Sequence, residues 1–183
     1  MGIFDQLRSI FDKTTPGQPT DDTAIPKPPP GERRRRKRIN PREGTRVLII
    51  DDSPTVVATL RKIMRSVNCV PLEALDAERG VELARLERPD LVFLDLVLPG
   101  MDGFAALRTM RRDPITRHIP VILISGNEQA TEQFYANRIG ADDFMKKPFS
   151  RLDVFSRIER LLDADLIPRR VGVPIDEADS TQT

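Results

Sequence analysis

From Arg46 to about Asp163, short apolar runs alternate with longer stretches whose apolar residues recur every three or four positions. Short runs with polar punctuation read as buried strands, and the longer periodicity reads as amphipathic helix. Val47-Leu48-Ile49-Ile50 predicts a strand over 46–51. Ser53 as N-cap and Pro54 at the first helical position then start a helix. Its Val56, Val57, Leu60, Ile63, Met64 and Val67 face inward. Val70 to Leu75 is a weaker strand, followed by a helix over about 77–87. A third strand over 91–95 leads through the turn-rich Pro99-Gly100-Met101-Asp102-Gly103 to a helix near 104–112. A strand over 120–125, a helix over about 129–139 and a strand over 143–147 follow. Ser150 caps the last helix, with Asp153 completing a capping-box pattern.

This alternation predicts an α/β fold: a flavodoxin-like, doubly wound, five-stranded parallel sheet of order 2-1-3-4-5 with five helices. No internal repeat at solenoid spacing competes with it. Parallel strands bring their C-terminal ends to one edge, where Asp51, Asp52, Asp95, Ser125 and Lys147 would meet. Carboxylates so placed repel one another, by about 4 kcal/mol for a pair 4 Å apart at an effective dielectric near 20. Mg²⁺ relieves that repulsion because it takes oxygen ligands while keeping several waters. Asp95 would then be a nucleophile able to carry a phosphoryl group. Lys147 and the metal would neutralise charge in the transition state, Ser125 would donate a hydroxyl, and Gly126 would leave room beside it. Taken singly, an Asp-Asp pair is usually a solvated turn and a Lys-Pro step a loop. Asp102 belongs to the turn, and Asp142 reads as a turn cap. Their joint placement at strand ends marks a site.

The flanks differ in composition. Residues 1–13 place Ile3, Phe4, Leu7, Ile10 and Phe11 on one face of an amphipathic N-terminal helix. Residues 14–44 form a disordered Pro-rich linker that ends near a basic cluster, Arg33 to Arg38. Residues 45–163 are the folded domain, and 164–183 are expected to be a flexible tail, too short for an output domain. The net charge of +1 hides an asymmetry, with 10 basic and 6 acidic side chains in residues 1–44 and a nearly balanced centre. The basic arm reads as a solvated charge run, a partner-docking element, or a weak membrane-surface contact through residues 1–38. Nucleic acid is disfavoured because no aromatics are interleaved with the cations. The sole cysteine, Cys69, excludes an intrachain disulfide and reads as a small buried thiol. There is no membrane-spanning stretch, no signal peptide and no myristoylation motif at Gly2, so a cytoplasmic protein is expected.

Four motifs, VLIIDDS, LVFLDLVLPGMDG, PVILISG and GADDFMKKPF, resemble the receiver domain of two-component response regulators, as do their intervals. The likeness covers residues 45–163 and is greatest to stand-alone receivers of type IV pilus or chemotaxis-like motility systems. It implies that Asp95 accepts a phosphoryl group from a sensor histidine kinase or a histidine phosphotransfer protein. It implies further that Asp51, Asp52, Asp95 and the backbone carbonyl of Val97 hold Mg²⁺, while Ser125 and Lys147 contact the phosphoryl group. Ser125 and Phe144 would form the switch, the aromatic turning inward as the hydroxyl moves, and the Lys147–Pro148 bond would be cis. Such a protein signals through contacts with a downstream protein and performs no catalysis beyond its own phosphoryl transfer. Phe144 stands where a tyrosine is frequent, so no phenolic hydroxyl can signal there. Val97 is apolar and cannot orient a hydrolytic water, which implies slow loss of phosphate unless Asn127 supplies that positioning. Two other classes compete. A receiver-gated adaptor would use the basic arm on membrane or nucleic acid. A haloacid-dehalogenase-type enzyme would need an acid where Val97 stands. The single histidine, His118, lies before a strand and does not suit a histidine kinase.

Overall fold

The computed structural model describes residues 38–126 and 140–170. The expected helices over 1–13 and 129–139, Asn127, most of the linker and residues 171–183 lie outside the described residues. In chain order the elements are β1 (Arg46–Ile50), α1 (Pro54–Arg65), β2 (Val70–Ala74), α2 (Ala77–Glu87) and β3 (Leu91–Asp95). They continue as α3 (Gly103–Arg112), β4 (Val121–Ser125), β5 (Asp143–Lys146) and α4 (Arg151–Glu159). The strands form one sheet of order β2-β1-β3-β4-β5, every pair parallel. This is the expected flavodoxin-like topology. β1 and β3 lie side by side, with Ile50 opposite Leu94, where the chain's direction of travel across the sheet reverses. A crevice opens beyond the C-terminal strand ends at such a reversal.

A period of two divides the core. Val47, Ile49, Leu91, Phe93, Ile122, Ile124 and Met145 face α1 and α4. Leu48, Ile50, Val92, Leu94, Val121, Leu123 and Phe144 face α2 and α3. Strands covered on both faces must be apolar throughout, and β3 and β4 are buried at every position. β2 is one of the two edge strands, and Pro71 is tolerated there because one side carries no sheet partner among the described residues.

The helix starts follow local chemistry. Ser150 and Asp153 form the expected capping box on α4. Asp102 caps α3 by accepting from the Ala105 N–H at 2.7 Å. Ser53 occupies the N-cap of α1, yet its hydroxyl makes no capping bond. The Lys147–Pro148 peptide is cis.

Two segments expected to be loose are tied to the domain. Pro41, in the linker, is buried, and the Arg42 N–H donates to the carbonyl of Leu166 at 2.9 Å. Residues 164–170, in the expected tail, fold back. The Arg169 N–H donates to Leu161 at 2.7 Å, and Pro168 bridges Leu162. Asp142 is more than a turn cap. Its carboxylate accepts from the Val121 N–H at 2.8 Å and from Arg111 and Arg170, each at 2.9 Å. Burial pulls the Arg111 guanidinium down to about 10, against the opposing pull of Asp142. No described helix is long and apolar enough to cross a membrane.

Candidate functional site

Each apolar strand ends by handing a polar residue to the crevice, because a side chain that must stay solvated cannot continue into the two-sided core. Asp51 follows β1 directly and is fully buried; Asp95 is the last residue of β3 and is 3% exposed. Asp52 is exposed. One carboxylate oxygen from each of Asp51, Asp52 and Asp95 lies within 4.8 Å of the others. Lys147, just past β5, reaches across to them. Its Nζ donates to Asp95 Oδ2 at 2.7 Å and lies 2.7 Å from Asp51 Oδ2.

Backbone amides hold the other carboxylate oxygens. The Ser53 N–H donates to Asp51 Oδ1 at 2.9 Å, and the Val97 N–H donates to Asp95 Oδ1 at 3.3 Å. Ser53 thus serves the site through its amide. Asp51 Oδ2 is buried, and the Lys147 ammonium at 2.7 Å is its one described partner. Burial raises the Asp95 pKa above the ordinary carboxylate value, more than the hydrogen bond and charge of Lys147 lower it, and Asp51 adds to the rise. Burial pulls the Lys147 ammonium the other way, but the bonds and charges of Asp51 and Asp95 outweigh it and raise its pKa. The lysine is therefore held protonated between two acids.

The other expected residues lie on β4, β5 and the segments that follow the strands. Ser125 ends β4, fully buried, one residue past Ile124, which pairs with Asp95. The Lys147 N–H donates to the Ser125 carbonyl at 2.8 Å, so β4 and β5 deliver hydroxyl and ammonium together. Gly126 follows, and a Cβ there would meet only Lys147 Cβ, at 3.8 Å. Phe144 is 3% exposed and packs among the side chains facing α2 and α3, so its ring is inward in this structure. The Val97 side chain is 63% exposed beside the crevice.

Two residues that shape the site were read from sequence only as turn or helix. A Cβ on Gly103 would lie 2.2 Å from the Asp95 carbonyl oxygen, and the Gly103 N–H donates to Leu96 at 3.2 Å. Close backbone approach of α3 to the end of β3 therefore requires glycine. Glu78 of α2 accepts from the Met101 N–H at 3.1 Å and fastens the loop between β3 and α3. The Asp-Gly step had signalled a turn, and nothing local signalled the Glu78 contact.

Three clustered carboxylates, two of them buried and sharing a single ammonium, suit a hard cation that prefers oxygen and tolerates several waters. The donor set fits Mg²⁺ better than a soft metal, since neither thiolate nor imidazole belongs to the cluster.

Comparison with known proteins agrees with this geometry. The profile of the response regulator receiver domain matches residues 47–159. Protein PilH of Pseudomonas aeruginosa is 38% identical over 117 residues, covering 64% of this chain and 97% of PilH. Response regulator PleD of Caulobacter vibrioides is 33% identical over 122 residues, covering 67% of this chain but only 27% of PleD. Among solved structures, the receiver domain of sensor histidine kinase PA1611 from Pseudomonas aeruginosa superposes with a TM-score of 0.58. It is 27% identical, the match covers 64% of this chain and 96% of that one, and its active-site cleft coordinates a magnesium ion.

Proposed function

The chain belongs to the response regulator receiver family of two-component signalling, and from that premise we propose that Asp95 is its phosphoacceptor. The phosphodonor is a sensor histidine kinase or a histidine phosphotransfer protein. The observation that carries the reading is Lys147 Nζ held 2.7 Å from both Asp95 and Asp51, with a third carboxylate in the same cluster. An ammonium so fixed is oriented before the donor arrives, which is how a charged group lowers a phosphoryl-transfer barrier.

Asp51, Asp52, Asp95 and the Val97 carbonyl would hold Mg²⁺, which when bound supplies positive charge to the transferring phosphoryl oxygens. An Asp95 carboxylate oxygen forms the new bond to phosphorus while the bond from phosphorus to the donor nitrogen breaks, and the imidazole leaves. The Val97 amide holds the partner oxygen of Asp95. Lys147 follows the charge from the carboxylate to the phosphoryl group, and Ser125 donates its hydroxyl to a phosphoryl oxygen. Gly126 leaves space beside them.

Output is a shift of population between two arrangements, biased by Ser125 and Phe144 and read by a downstream protein on the β5–α4 side. A thousandfold shift needs about 4 kcal/mol, which a few charge-assisted contacts supply. A match spanning nearly all of PilH favours action through protein contacts of the kind expected of pilus or chemotaxis-like motility regulators.

The test is incubation with acetyl phosphate and Mg²⁺, followed by intact mass. The parent gains one phosphoryl group and Asp95→Asn gains none. Uptake by both, or by neither, would overturn the assignment.

A further inference from the structure

At the sheet edge opposite Asp95 there is a cavity of about 410 Å³ that the phosphoryl chemistry does not use. Arg88, Pro89 and Asp90 line it ahead of β3, Ile115, His118 and Pro120 ahead of β4, and Pro168 and Arg169 on the returning C-terminal segment. The receiver-family match ends at residue 159, so this last wall belongs to the chain's own extension.

The volume falls in the range of small-molecule sites. Its walls are stiff, because four of the lining residues are prolines, whose ring fixes φ and leaves no long side chain to order. The segment ahead of β4 is also braced. The Ile115 N–H donates to Asp113 at 2.9 Å, the Thr116 hydroxyl to Met110 at 2.8 Å, and the Ile119 N–H to Thr116 at 3.1 Å.

Charge at the rim favours an anion. Arg88 ends α2 with φ 44° and ψ 62°, a left-handed conformation in which glycine would be the least costly residue. Among the described residues its guanidinium makes no ion pair or hydrogen bond, and the side chain is exposed. Arg169 is engaged by Asp163 through Nε at 3.0 Å, which leaves its terminal nitrogens to donate. The one carboxylate in the lining, Asp90, already accepts from the Arg46 N–H at 2.8 Å.

We propose that this cavity binds a small organic anion, a carboxylate or phosphate monoester with an apolar body. The anionic group is held by Arg88 and Arg169, and the body lies against Pro89, Ile115, Pro120 and Pro168. Because the site opposes the Asp95 edge, occupancy does not compete with phosphorylation.

Amide chemical shifts of the full chain, titrated separately with benzoate, phenyl phosphate and inorganic phosphate, test this. Benzoate or phenyl phosphate gives saturable shifts at residues 88, 90, 115–119 and 169, with Kd in the millimolar range or below. Arg88→Gly, which relieves the left-handed conformation and keeps the fold, raises Kd at least fivefold. Arg169→Gln raises it too, and Asp95→Asn leaves it unchanged, so the result is independent of whether Asp95 takes phosphate. No saturable shift, equal binding by Arg88→Gly, or equally tight binding of inorganic phosphate would each overturn the proposal. The last would mean that the apolar walls contribute nothing.

Discussion

A Cβ placed on Gly103 would sit 2.2 Å from the carbonyl oxygen of Asp95, closer than any real carbon–oxygen contact. The start of α3 therefore rests on the backbone that carries Asp95, the proposed phosphoacceptor. Gly103→Ala should reverse the usual gain from replacing a helical glycine. It costs about 1–3 kcal/mol, as overpacking does, and slows phosphoryl uptake. Urea unfolding and acetyl phosphate kinetics measure the two effects, and a more stable variant would contradict the contact.

Lys147 separates two buried carboxylates that would otherwise repel each other. Lys147→Ala should slow uptake at least tenfold, or about 1.4 kcal/mol of transition-state stabilisation. With the ammonium gone, Mg²⁺ becomes the remaining relief of that repulsion, so it should raise Tm more in the variant than in the parent. Equal metal-dependent shifts in the two proteins would argue against the cluster as a shared electrostatic unit.

Val97 is exposed two residues beyond Asp95 and offers no polar group to a water. Val97→Asn should shorten the lifetime of phosphorylated protein severalfold, read by following the mass of the phosphorylated species after donor removal. A variant that loses phosphate no faster than the parent would count against Val97 as the cause of slow loss.

Asp142 has a side chain 3% exposed and is bonded to Arg111, Arg170 and the Val121 amide. Asp142→Ala leaves two guanidinium groups without their counter-ion and the Val121 amide without its carboxylate acceptor, and should cost about 3 kcal/mol or more. Arg170→Ala removes one partner of three and should cost less, about 1–2 kcal/mol. Chemical denaturation of both variants gives the order, and a milder effect of Asp142→Ala would refute this reading of the hub.

Burial raises the Cys69 thiol to about 11, with a further push from Asp90. Because the thiolate forms only as pH rises through the folded-state value, about one molecule in a thousand carries it at pH 8. Iodoacetamide at pH 8 should leave the native protein unmodified while labelling it rapidly in urea. Rapid native labelling would place the thiol at the surface.

The sequence alone determined the strands, their order and which polar residues stand at their C-terminal ends. These follow from local rules: an apolar run must end where its next side chain needs water, and parallel pairing brings those ends together. The capping box of Ser150 and Asp153 and the cap at Asp102 were legible for the same reason, since their partners lie three residues away. Tertiary structure decided the rest. Asp142 meets Arg111 and Arg170 across 31 and 28 residues of chain, and Arg42 meets Leu166 across the whole domain. Gly103 is required by the backbone of Asp95, and Ser53 serves the site through its amide instead of its hydroxyl. No periodicity records such contacts, because they arise only when separate elements have been packed to a fixed distance.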